Sequence, residues 1–195
     1  MHKPINRLLP PVAVALGLTM SSQAIAQDVS DKLPFEVIVP EYTEDVDAAY
    51  EIAAARASWV EAFENQNVES IMSFYVDEIY SYDMMAAPTD DGLAMAFDGE
   101  PIWRANWVSF FEMFEDDLEV TIENLTVYQS GDIATVRGLT RLEGTAFGQY
   151  IDMWARETNV LRRVDGDWLV VHDHVSVPIN FASGEALMNL TPSSQ

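Results

Sequence analysis

The strongest periodic pattern in the chain lies between residues 46 and 63. Apolar residues recur there at spacings of three and four, namely Val46, Ala49, Tyr50, Ala53, Ala57, Val60 and Phe63. This spacing predicts an amphipathic helix that starts near Asp45. The polar run Asn65-Gln66-Asn67 ends it, and a short second helix is expected to follow around Ile71, Met72 and Tyr75.

The next segment combines a strand, a loop and a third helix. Residues 79–85 are expected to form a strand, and the Pro- and Gly-containing stretch 86–99 a loop. A helix is predicted over about 100–114, with Pro101 in its first turn, where proline is tolerated. This helix is rich in aromatic residues, namely Trp103, Trp107, Phe110, Phe111 and Phe114.

From residue 118 onwards the hydrophobic period changes from helical to two. Strands are predicted at about 118–129, 132–146, 149–163 and 167–178, separated by turn signals at residues 130–132, 147–148 and 165–166. A last short helix is expected within 181–190. Helices followed by a run of strands indicate an α+β fold, with helices packed on one face of a curved antiparallel sheet around an apolar pocket.

The last predicted strand carries the two histidines that remain once the N-terminal segment is set aside. Strict alternation would place Trp168, Val170, His172, His174 and Ser176 on one face, and Leu169, Val171, Asp173, Val175 and Val177 on the other. If the second face is buried, Asp173 needs a partner or a raised pKa. If the first face lines a cavity, His172 and His174 are candidate acid–base groups near neutral pH.

The N-terminus has the pattern of a secretory signal. Lys3 and Arg7 precede an apolar run over 8–20, and Ala24-Ile25-Ala26 follows as a cleavage site. We therefore expect residues 1–26 to be removed, 27–44 to form an extended leader, 45–180 to form the domain, and 181–195 to form a tail. The protein would be exported to the periplasm or secreted, without a membrane anchor after cleavage.

Composition narrows the range of functions. The chain has 10 basic and 32 acidic residues, a net charge of −22, and no cysteine. Such a surface repels nucleic acids and anionic lipid. No glycine-rich phosphate loop, Gly-x-Ser-x-Gly motif or cysteine nucleophile is present.

Several segments resemble one known family. The SnoaL-like, ketosteroid-isomerase-related branch of the nuclear-transport-factor-2-like (NTF2-like) superfamily has similar segments: the helix Ser58–Glu64, the Asn65-Gln66-Asn67 break, Ile71–Tyr75 with Asp77, the Arg156-x-Thr158 pair, and the run from Asp165 to Pro178. The resemblance implies a cone-shaped α+β barrel, a homodimer, no cofactor and an apolar pocket. This branch includes isomerases, dehydratases and proteins without catalysis, so the function has to be inferred from the site and not from the fold.

The resemblance places a general base at Asp83, because Tyr75 and Asp83 have the spacing of the isomerase tyrosine and its catalytic aspartate. A carboxylate in an apolar pocket has a raised pKa and can move a proton to or from carbon. Alternatively, Asp83 is a solvent-facing or turn-capping residue. Trp59 falls where the isomerase carries its oxyanion-binding tyrosine, and this difference argues against steroid isomerisation itself.

The remaining candidates keep two interpretations each. His172 and His174 are acid–base groups or a hydrogen-bonded pair at a dimer contact; a zinc pair would need carboxylates as further ligands, and no metal is expected. Asp173 is a second acid or a structural partner for an arginine. Candidate substrate-binding residues are Tyr82, Trp59, Arg156, Trp103 and Trp107. Arg156 either holds a substrate carboxylate or phenolate or lies at the surface, and the tryptophans either bind substrate or belong to the core.

Together these features predict cofactor-independent acid–base chemistry on a small apolar or aromatic molecule: isomerisation, dehydration or a related elimination. The alternative is a ligand-binding or dimerisation module without catalysis.

Overall fold

The computed structural model of the protein describes residues 28–115 and 118–192. The predicted signal segment 1–26 lies outside the described residues. Helix α1 spans Val46–Glu64, and its N-terminus is capped by Asp45, whose side chain accepts a hydrogen bond of 3.0 Å from the Ala48 backbone N–H. The prediction of this helix is confirmed.

Two more helices and nine strands complete the elements discussed below. Helix α2 spans Val68–Met72 and α3 spans Glu100–Phe111. The strands are β1 (Val37–Ile38), β2 (Tyr75–Tyr82), β3 (Ala87–Thr89), β4 (Gly92–Ala94), β5 (Phe97–Asp98), β6 (Glu119–Ser130), β7 (Ile133–Ala146), β8 (Gln149–Val164) and β9 (Asp167–Ser176). The four long strands predicted after residue 118 are thus confirmed to within one or two residues.

Seven strands form one large sheet in the order β1-β6-β7-β8-β9-β2-β5. β6 to β9 form an antiparallel meander, whereas β2 pairs with β9 in parallel. Two-residue turns join β7 to β8 and β8 to β9, and all four turn residues, Phe147, Gly148, Asp165 and Gly166, have positive φ. Paired positive φ values are typical of type I′ turns, whose twist matches that of the flanking strands.

The helices pack on one face of this sheet and enclose the core. Buried side chains of α1 and α3, including Ile52, Phe63, Trp103 and Phe111, belong to one hydrophobic cluster with residues from the sheet. The architecture is the α+β fold that the sequence predicted. Within the described residues, no helix has both the length and the apolarity to cross a membrane.

The segment predicted as an extended leader contributes β1, which pairs in parallel with β6 at Val37↔Leu125. Three local predictions were wrong. The strand expected at 79–85 instead spans Tyr75–Tyr82, and the loop at 86–99 contains the β3–β4 hairpin and β5. No helix forms within 181–190. There the chain turns back, and the Met188 carbonyl accepts a hydrogen bond of 3.1 Å from the Trp154 N–H of β8.

The predicted division of β9 into two faces was also wrong, because the strand contains a β-bulge. Val160 pairs with His172 but Leu161 pairs with Val170, so Val171 is an extra residue without a partner on β8. A bulge reverses the alternation on either side of it. Trp168 and Val170 are therefore buried on the same side as Asp173, while His172 and His174 face away from the core.

Candidate active site

A cavity of about 60 Å³ lies between the helices and the inner face of the sheet. Trp59 and Phe63 of α1 and Trp107 and Phe110 of α3 form its aromatic wall. These rings pack edge to face, for example Trp59 on Trp107 with centroids 5.9 Å apart and an interplanar angle of 72°. Strand residues complete the apolar lining, namely Val120, Leu142, Met153, Ala155 and Val175.

Three carboxylates line the same cavity. Glu157 lies on β8, Asp173 on β9, and Asp83 just beyond the end of β2. The register explains why they converge: Ser81 of β2 pairs with Asp173, and Glu157 pairs with Val175, the next inward residue of β9. The bulge at Val171 is what turns Asp173 towards this group.

Asp83 is half-buried, and its Oδ1 accepts a hydrogen bond of 2.8 Å from the Met85 N–H. Burial against the apolar wall raises the pKa of this carboxyl from 3.8 to about 6, and the negative charge of Glu157 adds to the effect. The backbone N–H groups of Met85 and Met84 act in the opposite direction. Asp83 is therefore ionised at neutral pH but more basic than an ordinary aspartate.

Asp173 is more deeply buried, with 2% of its surface exposed. Asn159 Nδ2 donates a hydrogen bond of 2.6 Å to its Oδ1. Burial, followed by the charges of Glu157 and Asp83, raises the pKa of Asp173 well above its usual range, although Arg56 opposes this. The environment thus favours the protonated acid, which has an O–H to donate.

Glu157 differs from the other two because it has a cationic partner. Its Oε2 is paired with the guanidinium of Arg56 and accepts a hydrogen bond of 2.8 Å from the Thr140 hydroxyl. Both charged side chains are about nine-tenths buried. The Arg56 guanidinium also lies over the Trp59 ring, with its Cζ 3.8 Å from the ring centroid. The pair neutralises its own charge and leaves Asp83 without a cation.

A sequence model of the SnoaL-like domain matches residues 52–180, about two thirds of the chain. The chain belongs to the SnoaL-like family. Comparison with curated proteins gave no match.

Solved structures of NTF2-like proteins resemble this SnoaL-like protein over most of their own length. An NTF2-like protein of unknown function from Pseudomonas putida KT2440 is 27% identical, with a TM-score of 0.67, over 76% of this chain and 99% of that chain. A ketosteroid isomerase-like protein from Erwinia carotovora atroseptica SCRI1043 is 22% identical, with a TM-score of 0.54, over 65% and 93%. A proposed dehydratase of the NTF2-like family from Streptomyces avermitilis is 15% identical, with a TM-score of 0.56, over 66% and 94%.

Four of the residues predicted from the sequence to form the site do line the SnoaL-like cavity: Asp83, Asp173, Trp59 and Trp107. Trp103 lies behind this wall. It is completely buried and contacts Trp107 with ring centroids 5.2 Å apart, so it belongs to the core.

The other predicted site residues, Tyr82, His172, His174 and Arg156, lie on the outer face of the sheet. The His172 Nδ1–H donates a hydrogen bond of 2.7 Å to the Tyr80 carbonyl, and the Tyr82 ring contacts both histidine rings edge to face. Their acid–base and substrate-binding roles stay predictions. None of the four lines the cavity, but Tyr82 and His174 line an open groove that Asp83 also borders. Within 28–115 and 118–192, no three His, Asp or Glu side chains are arranged to hold a metal ion.

Sequence reasoning missed Arg56, Glu157 and Asn159. Arg56 did leave a signal, because it occupies a core-facing position on α1 four residues after Ile52, where an apolar side chain is expected. Glu157 and Asn159 gave a weaker signal in the sequence. They alternate with Ala155 and Leu161 on β8, which marks them as inward-facing polar residues.

Proposed function

We propose that this SnoaL-like protein moves a proton to and from carbon in a small apolar or aromatic molecule, as an isomerase or dehydratase without a cofactor. The observation that carries the proposal is the pair Asp83 and Asp173. Both carboxyl groups line one apolar cavity, but burial raises the pKa of Asp83 only to about 6, whereas the pKa of the more deeply buried Asp173 is raised well above its usual range. Two carboxyl groups set apart in this way supply a base and an acid.

In the proposed reaction, Asp83 is the general base. It takes a proton from a carbon beside a carbonyl group, and the C–H bonding pair moves towards the carbonyl oxygen. The protonated Asp173 donates a hydrogen bond to that oxygen and so takes the role of the oxyanion-binding tyrosine of the isomerase. Asp83 then returns the proton to another carbon for isomerisation, or to a departing hydroxyl group for dehydration.

The apolar wall supports this assignment for a physical reason. It excludes water from the base, and the resulting burial raises the pKa of Asp83 towards the operating pH, where a general base is most effective. The neighbouring structures described as a ketosteroid isomerase-like protein and a proposed dehydratase have the same fold, and they suggest these two reaction types for testing.

The test is solvent exchange at carbon. Enones and aromatic ketones are incubated with the protein in deuterated water, and deuterium uptake is followed by NMR. Asp83→Asn is expected to lower the exchange rate at least about a hundredfold, the usual contribution of a positioned base. Asp167→Asn makes the same change at an exposed aspartate and should leave the rate unaltered.

Equal exchange by the wild type and Asp83→Asn would refute the proposal. Ligand binding without any exchange, across the whole panel, would favour the alternative of a binding module. That alternative is supported by Trp59 standing in place of the family's oxyanion tyrosine.

We also propose that the protein is exported as a homodimer after cleavage behind Ala26. The basic and apolar N-terminal residues support export, and the exposed Tyr80 and Tyr82 beside the two histidines offer a contact face. Mass spectrometry of the protein from a periplasmic extract should give a chain that begins at Gln27. A mass that includes residues 1–26 would contradict export, and a monomer by light scattering would contradict the dimer.

A further inference from the structure

The charges around the cavity do not balance. Arg56 neutralises Glu157, and the environment of Asp173 favours its neutral form. Asp83 is the remaining carboxylate, and the groups that donate hydrogen bonds to it are uncharged backbone N–H groups, those of Met85 and Met84. At neutral pH the cavity therefore carries about one negative charge without a counterion.

No positive side chain lines this cavity to receive an anionic ligand; His174 lies in the neighbouring groove that Asp83 also borders. The described residues that line the cavity include no Lys, Arg or His. Arg156, which the sequence offered as an anchor for a substrate carboxylate, is exposed on the outer face of the sheet. Arg56 borders a separate, smaller cavity of about 30 Å³ on the other side of Trp59.

The rest of the cavity suits a cation with an apolar body. Four aromatic rings, those of Trp59, Phe63, Trp107 and Phe110, form the wall, and aromatic π-systems attract organic cations. The lining otherwise consists mainly of aliphatic side chains. Beyond the cavity, the net charge of −22 raises the local concentration of cations and lowers that of anions.

Asp83, Met84 and Val175 line both this cavity and an open groove of about 820 Å³, which supplies room for a ring that the cavity of about 60 Å³ lacks. We propose that this site selects a small apolar organic cation, a ring-bearing protonated amine or imine, with its charge beside Asp83. The inference rests on the proposed function only in taking this cavity as the ligand site. It names the class of molecule that the family resemblance leaves open. A carboxylate of the same size would be placed next to Asp83 and Glu157 with no cation to receive it.

A cationic ligand is also compatible with Asp83 as a base. When a protonated imine loses a proton from the adjacent carbon, the C–H bond breaks and a new O–H bond forms on Asp83. The C–H electron pair becomes a C=C bond, and the former C=N π pair returns to nitrogen. A cation and an anion thus become two neutral groups, which a buried, water-poor cavity favours.

The experiment compares three ligands with the same ring: benzylamine, benzyl alcohol and benzoate. Binding at pH 7.5 is measured by calorimetry and by quenching of tryptophan fluorescence, since Trp59 and Trp107 line the cavity. Benzylamine is expected to bind about tenfold or more tightly than benzyl alcohol, and benzoate more weakly than either, because two unit charges at contact interact strongly at partial burial.

The variant Asp83→Asn should reduce the preference for the amine to within about threefold, while Asp167→Asn, with the same change in net charge, should retain it. Circular dichroism and thermal unfolding establish that both variants are folded. Benzoate binding as tightly as benzylamine, an amine preference that survives Asp83→Asn, or no binding of any of the three would overturn the inference. Deuterium exchange into neutral ketones without amine preference would overturn the inference and leave the proposed function standing. A preference for the amine without deuterium exchange on any substrate would support the inference and refute the proposed function.

Discussion

Replacing Asp83 with asparagine should stabilise the fold, although the same change should abolish the proposed activity. The side-chain carbonyl oxygen of the new asparagine can still accept the hydrogen bond from the Met85 N–H, so the variant loses the charge and little else. Burial raises the pKa of Asp83 from 3.8 to about 6. With about 1.36 kcal/mol for each tenfold change in acidity, this rise corresponds to about 3 kcal/mol. That value is an upper one, because part of the carboxylate reaches solvent and is screened.

The size of the effect depends on pH, whereas its sign does not. Because the pKa of Asp83 is higher in the folded state, its contribution to stability is fully present below about pH 4 and is lost as the pH rises through about 6. The penalty that Asp83→Asn removes therefore grows from roughly half of its full size at pH 5 to its full size, at most about 3 kcal/mol, at pH 8. Above about pH 8 it is constant.

Urea denaturation of the wild type and Asp83→Asn at pH 5, 6.5 and 8 measures this difference directly. The denaturant dependence of the free energy should match between the two proteins, so that a shift in midpoint reports stability. Asp167→Asn is the matched control, and because Asp167 is exposed its effect should stay within about 0.5 kcal/mol at every pH. A destabilised Asp83→Asn variant, or a gain that does not grow with pH, would refute the placement of Asp83 against the apolar wall.

Three further predictions concern the ion pair, the pH profile and the outer face of the sheet. Arg56→Met should lower the free energy of unfolding, measured by urea denaturation, by about 3–5 kcal/mol, because it leaves Glu157 buried without a cation. Adding Glu157→Met should restore most of this lost stability. The rate of deuterium exchange should rise with pH through about 6 and then level off, as Asp83 ionises; a rate flat between pH 5 and 8 would exclude Asp83 as the base. His174→Ala should change the affinity for benzylamine less than about twofold by calorimetry, because His174 lies outside the cavity, and a tenfold loss would place it in the site.

The sequence predicted the fold well because its signals are local. Hydrophobic periods of 3.6 and 2 predicted α1 and the four long strands, and two-residue turns containing glycine joined the last three of these strands. The short strands were missed for the same reason. β1 and β5 have two residues each, too few to show a period, and they form only because β6 and β2 offer free edges.

The candidate site was predicted in part, and the errors have one physical cause. Asp83 was found through its spacing from Tyr75, and it does line the cavity. The histidines were placed by strict alternation from Trp168, but the bulge at Val171 reverses the alternation, and nothing in a Val-rich run marks a bulge. The result is that Asp173, not His172, faces the cavity.

The ion pair between Arg56 and Glu157 was beyond the reach of sequence patterns. Its members are 101 residues apart, on α1 and β8, and meet only when the helix packs on the sheet. The pair nevertheless decides the charge of the cavity, because it removes Arg56 as a partner for a ligand or for Asp83. The specificity of the site thus depends on a long-range contact that local patterns do not contain.

The most direct test of the account is the ionisation of Asp83 itself. Carbon-13 NMR of protein labelled at the aspartate carboxyl groups, with Asp83 assigned from the spectrum of Asp83→Asn, gives its titration curve. The expected midpoint for Asp83 lies at about pH 6, above the ordinary aspartate value of 3.8. A midpoint near about 4, the value of an exposed aspartate, would contradict the placement of Asp83 in an apolar cavity and with it the proposed base.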